Sequence, residues 1–192
     1  MRDRENWHSR RRRKHGKESS ESQEQLFKRI FPEKVDLSEK KPTTFDWILS
    51  RTRDGSGISA PREIIHLLSA AREQQIKYLE RGDAEPPGEA LFAGQAFKDA
   101  LPAVSKARFQ NTLLAEYPQY RDLLLKLEGK RTQQSIDTLT ELWGTPPEET
   151  QKISAALAES GFFEPRIGRE GKQYWVPFLY RPCLSMVQGS EE

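Results

Sequence analysis

The chain has 192 residues, room for one compact domain or two small ones and too few for a complete multidomain enzyme. Charged residues make up 31% of it and apolar residues 35%, the balance of a water-soluble, helix-rich protein with a modest core. No run nears the roughly 18 consecutive apolar residues of a membrane span, and the basic N-terminus lacks the apolar stretch of a signal peptide.

A single cysteine, Cys183, excludes an internal disulfide and a cysteine-based zinc site, so a reducing, cytoplasmic compartment and no membrane partner are expected. The net charge of +2 conceals a split. Residues 1–17 hold eight Lys or Arg against Asp3 and Glu5, a net of +6, which leaves −4 on the remainder. With Trp7 almost its only apolar side chain, this tail buries too little surface to offset an ordering entropy of about 1–2 kcal/mol per residue. The polar stretch Glu18 to Gln25 extends the expectation of a disordered tail to residues 1–25.

Leu26, Phe27, Ile30 and Phe31 predict a short helix that Pro32 ends, and with the charged connector behind it this makes a segment 26–42. Thr43 reads as the N-cap of a helix presenting Phe45, Ile48 and Leu49, which Asp54-Gly55-Ser56-Gly57 breaks. Ser59 or Ala60 then caps a helix with Pro61 in its first turn, a stripe of Ile64, Leu68 and Ala71, and a buried face widened by Ile65, Leu67, Ile76 and Leu79, up to Gly82. Past Pro86-Pro87-Gly88, a small-residue helix is predicted to stop at Pro102, near Leu101.

From Val104 an amphipathic stretch runs to Tyr117-Pro118 and resumes from Tyr120 to Leu127. A helix over 135–143 stops at Gly144, and another over 147–160 ends on Gly161 in a Schellman turn with Phe162 packing back on Leu157. Strand-like runs 162–167 and 172–178 flank Gly168-Arg169-Glu170-Gly171 as a hairpin, and Pro165 and Pro177 place it at a sheet edge. The fold class is therefore mainly α: a small helical, lid-like bundle over 43–101, then a winged helix-turn-helix with one C-terminal β-hairpin over 102–185, and a disordered end at 186–192.

The chemistry of an enzyme is missing. Gly16-Lys17, Gly129-Lys130 and Gly171-Lys172 are the Gly-Lys pairs, and none has the upstream glycine and the following Ser or Thr of a P-loop. Of His8, His15 and His66, two lie in the tail, and His66 sits away from the apolar stripe of its helix, a surface or structural histidine. No nucleophile–base pair and no metal spacing is present, so neither catalytic residues nor a metal site are assigned, and the chain is read as not an enzyme by itself.

Phe45-Asp46-Trp47-Ile48, Arg51-Thr52-Arg53-Asp54-Gly55, Ala60-Pro61-Arg62-Glu63-Ile64-Ile65-His66-Leu67-Leu68 and the ending Glu159-Ser160-Gly161-Phe162-Phe163 … Tyr174-Trp175-Val176-Pro177-Phe178-Leu179-Tyr180-Arg181 resemble the C-terminal part of bacterial P-loop ATPases of the AAA+ and STAND kind. The resemblance covers residues 26–185 and implies a lid and a winged helix without their nucleotide-binding core. It also implies that Arg62 is a sensor arginine for a terminal phosphate, with Pro61 near the adenine. Ser59 departs from the glycine that STAND lids favour two residues before the proline. ATP and magnesium are implied only for a complete family member, and no cofactor is assigned to this chain.

The resulting expectation is a truncated or split, non-catalytic regulatory module whose partner is a protein, an ATPase core or a second copy, and which senses nucleotide in trans. The alternative is a winged-helix DNA-binding regulator with a basic arm. The presumptive recognition helix carries Glu148, Glu149 and Glu159 against Lys152, which disfavours groove insertion, whereas Arg166, Arg169 and Lys172 at the wing and Arg10, Arg11, Arg12, Arg13 and Lys14 in the tail are candidate phosphate contacts.

Overall fold

The computed structural model describes residues 20–86, 88–168 and 171–190. Its first element is a helix over residues 20–30 (α1), so Ser20 to Gln25 belong to a helix and not to a disordered tail. A Glu24–Lys28 pair one turn apart supports it, and Phe27 and Phe31 anchor it against Phe45, Phe92 and Phe97 with ring centroids 5.1–5.9 Å apart.

Thr43 caps α2 (Thr44–Thr52) as its sequence suggests, its hydroxyl oxygen accepting from the Asp46 amide. Helix α3 (Pro61–Glu80) starts on Ala60 with Pro61 in the first turn. Its buried face differs from the predicted one. Glu63, Leu67, Ala70, Ala71 and Gln75 face inward, while Ile65, Ile76 and Leu79 are exposed.

Helix α4 (Gly94–Arg108) runs straight through Pro102, so the boundary placed at 101/102 falls inside a helix. Pro102 and Lys98, whose carbonyl loses its partner, both lie on the exposed face, where that carbonyl is open to solvent and its loss is cheap. Meanwhile Ala96, Phe97, Ala100, Leu101, Val104 and Ser105 keep one buried stripe. The helix then widens into a π-helical turn (Phe109–Leu113) and closes as α5 (Leu114–Glu116). A short turn leads to α6 (Arg121–Leu125).

The C-terminal half combines β1 (Arg131–Gln134), α7 (Ile136–Trp143), α8 (Pro147–Glu159), the hairpin β2 (Glu164–Gly168) and β3 (Gly171–Trp175), and β4 (Val187–Ser190). Ser135 and Thr138 form a reciprocal capping box on α7, and left-handed Gly144 ends it. Helix α8 ends in the expected Schellman turn: Phe162 N donates to Leu157 O at 2.9 Å and Gly161 N to Ala158 O at 3.1 Å.

The strand order is β2-β3-β1-β4, with β1 antiparallel to β3 and parallel to β4. The hairpin is thus at an edge through β2 alone, because β3 is paired on both sides and Pro177 lies beyond it. Residues 187–190, expected to be disordered, form β4. The protein is mainly helical with a small mixed sheet. One buried cluster extends from Val35 to Leu184, and Phe109 at the end of α4 meets Phe162 of the C-terminal half.

The α2–α3 loop docks on that half backbone to backbone. Gly55 N donates to Gly161 O at 2.6 Å, and a Cβ on Gly55 would lie 2.2 Å from Phe163 O. Gly55→Ala should therefore cost about 1–3 kcal/mol through forced separation of the two segments. Gly168→Ala, whose Cβ would meet only ordinary contacts at 3.6 Å, should cost about 1 kcal/mol or less. Urea unfolding of the two variants checks the contrast.

Candidate functional site

Charge is buried where α3 begins. Glu63 occupies the third position of the helix, on the stripe of Leu67, Ala70 and Ala71, and its side chain is 5% exposed. The amino end of α3 favours a carboxylate there, and two guanidinium groups approach it. Arg62 donates from both Nε and Nη2 to Glu63 Oε1 at 3.1 Å, and also from Nη2 to Thr112 Oγ1 at 3.3 Å. Arg108, at the end of α4 and 17% exposed, stands 3.6 Å from Glu63 Oε1 and 3.6 Å from Asp54 Oδ2, while its Nε donates to Tyr180 Oη at 3.3 Å.

Every donor reaching Glu63 goes to one oxygen, and Oε2 is buried with no hydrogen-bond partner. Glu63 lines a pocket of about 180 Å³ together with Arg62, His66, Arg108, Asn111 and Thr112. That volume is below the roughly 300–1,000 Å³ of sites for drug-sized ligands, so the pocket admits a few heavy atoms and not a nucleotide. The π-helical turn supplies Asn111 and Thr112. A wider turn of this kind is a recurrent feature of functional sites.

The ionisation of the network follows from burial. Burial pushes the Tyr180 phenol up to about 12, against the opposing pull of Arg108. Burial acts to lower Arg108, but Tyr180, Glu63 and Asp54 outweigh it and hold the guanidinium more firmly protonated. Burial also pushes the Cys183 thiol up, and its Sγ donates to Tyr180 O at 3.0 Å, which favours the protonated thiol over the thiolate.

The structure places the sequence candidates apart. Pro61 and Arg62 open α3, with Arg62 66% exposed at the pocket mouth. Arg166, on β2, is engaged by Glu164 through two bonds of 2.9 and 3.0 Å and lies over the Trp175 ring. Lys172 lies over Tyr174 on β3. Arg10, Arg11, Arg12, Arg13, Lys14 and Arg169 lie outside the described residues. Among the described residues no group of His, Cys, Asp and Glu is arranged to hold a metal ion, and no helix is long and apolar enough to cross a membrane.

Sequence reasoning named Arg62 as a candidate and did not name Glu63, Arg108, Asn111 or Thr112, which the structure places around it. One signal was available, a carboxylate in register with Leu67, Ala70 and Ala71. In comparisons with known proteins, no family model matches the chain, and no curated protein or solved structure is significantly similar to it.

Two outcomes follow. Glu63→Ala leaves Arg108 short of a carboxylate and should cost about 3–5 kcal/mol in urea unfolding, whereas Arg62→Ala, which removes the hydrogen bonds to Glu63 but leaves Arg108 beside it, should cost less, about 1–3 kcal/mol. Tyr180 holds its proton more tightly folded than unfolded. Its contribution to stability is therefore complete below about pH 10 and is lost as pH rises towards about 12. Alkaline unfolding of Tyr180→Phe should lack that component.

Proposed function

We propose that the chain is a non-catalytic interaction module, a helical lid followed by a winged helix, that acts by contacting a nucleotide-bearing P-loop ATPase core. The reading draws its main support from Arg62. Its guanidinium stands exposed in the first turn of α3, held by Glu63 and Thr112 beside a pocket too small for a nucleotide. A terminal phosphate presented by another polypeptide competes with Glu63 for that fork, because guanidinium binds phosphate oxygens in pairs and never loses its charge.

The winged-helix assignment rests on the order of α7, a tight Gly144 turn, α8 and the β2–β3 hairpin. The outward face of α8 carries Glu148, Glu149 and Glu159 with Lys152. A helix of that charge is repelled by a duplex bearing one phosphate per ~1.7 Å, which favours a protein partner over DNA reading. Arg166 is already committed to Glu164, which weakens the wing as a phosphate contact.

Mixed with a P-loop ATPase core polypeptide, the chain should raise its ATP turnover. Arg62→Ala should abolish the effect and Arg62→Lys should lose most of it, at a temperature where circular dichroism shows both variants folded. The isolated chain should show no nucleotide binding by calorimetry. Tight ATP binding by the chain alone, or stimulation that survives Arg62→Ala, defeats the reading. Sequence-selective duplex binding in an anisotropy titration would favour a DNA-binding regulator instead.

A further inference from the structure

The long helix α3 presents a full face to solvent. Glu63, Leu67, Ala70, Ala71 and Gln75 turn one side of it to the core. On the opposite side Ile65, Ile76 and Leu79 stand 41–63% exposed. Arg62, Ser69, Arg72, Glu73 and Glu80 are exposed beside them. At about 100° per residue, Arg62, Ile65, Ser69, Arg72, Ile76 and Leu79 share a stripe about 100° wide. They are spaced alternately by three and four residues, the spacing with which two helices pair lengthwise.

The order of charges on this face selects its partner and the direction of pairing. From the amino end come Arg62 and Arg72, then Glu73 and Glu80, with one isoleucine in each half. Lys77 lies about 100° round from Ile76, off the stripe. A face basic in its first half and acidic in its second complements a second copy of itself laid antiparallel. Parallel pairing sets like charge against like, and the helix dipoles also favour the antiparallel direction.

A two-fold axis level with the midpoint of residues 70 and 71 gives the register. Ile65 and Ile76 lie equally far from that axis, so each meets the other's counterpart in the second copy. Arg62 comes level with Glu80. Arg72 comes opposite Ser69, a side chain small enough to cross, and reaches Glu73 one turn further on. Each contact occurs twice by symmetry. Arg72, Glu73 and Glu80 form no ion pair among the described residues, so none is broken. Arg62 keeps its bonds from Nε and Nη2 to Glu63 and has Nη1 to spare.

A contact about 30 Å long and one helix wide covers roughly 400 Å² per copy, below the roughly 1,200 Å² total of a stable dimer. Its dissociation constant is therefore high, on the order of 100 μM. We infer that two copies of the chain pair through antiparallel α3 helices in a weak, concentration-dependent dimer, with Ile65 of each packed on Ile76 of the other. The inference stands without the ATPase reading, and its test uses no ATPase core.

The test is sedimentation equilibrium of the full chain from micromolar to millimolar concentration. The mean mass should climb from that of one chain towards that of two. Ile65→Glu and Ile76→Glu, both at exposed positions and checked for folding by circular dichroism, should each weaken association at least tenfold. Arg72→Glu and Glu73→Arg should each weaken it alone, and an equimolar mixture of the two should regain it. In a Cys183→Ser background, Ile65→Cys mixed with Ile76→Cys should oxidise to a mixed disulfide. Ile65→Cys alone should not, because its two thiols lie about 16 Å apart along the pair. If one glutamate variant fails to fold, the other decides. A chain that stays monomeric at millimolar concentration, association unaltered in the folded glutamate variants, or a disulfide in Ile65→Cys alone overturns the inference.

Discussion

One guanidinium group organises this fold. Arg108 stands at the end of α4 and reaches Asp54 in the α2–α3 loop, Glu63 in the first turn of α3 and Tyr180 in the segment after β3. Four side chains from three stretches distant in sequence meet there. A buried charge is tolerated only when it is paired and hydrogen-bonded, so none of the four can shift without leaving another charge stranded. The apolar cluster around Phe109, Phe162 and Tyr180 supplies cohesion, and Arg108 dictates how its parts are oriented.

Loop geometry reinforces that constraint. Asp54 faces Arg108 through Oδ2, and its Oδ1 accepts from Ser56 N and Oγ. The same carboxylate therefore shapes the turn and neutralises the arginine. Next to it, Gly55 lies against the backbone of Gly161 and Phe163, so the turn is pressed to the C-terminal half by main-chain contact that a side chain would block.

The parts legible in the sequence were those marked by local chemistry. Thr43, Pro61, Ser135, Gly144 and Gly161 each act within one turn of their own position, and the helices they bound follow the residues that name them. The parts that were not legible depend on distant partners. Strand β1 buries Thr132 and Gln134, polar side chains that make no apolar alternation, and it exists because β3 and β4 flank it. Pro102 belongs inside a helix only because its face meets solvent. Of the site, Arg62 was visible from its place beside Pro61. Glu63, one residue on, gained meaning only when Arg108 and Thr112 arrived from more than forty positions away.

The π-helical turn after α4 carries a geometric implication for the pocket. A helix of ordinary pitch advances about 100° per residue, so one surplus residue in the coil re-aims everything that follows by about that much. The widened coil keeps both Leu113 and Leu114 in the core and still directs Asn111 and Thr112 towards the mouth of the cavity. Hollow and irregular backbone are thus two views of a single event. Shortening that coil by one position would swing the two polar groups off the rim and strip the recess of its uncharged donors without touching a charged residue.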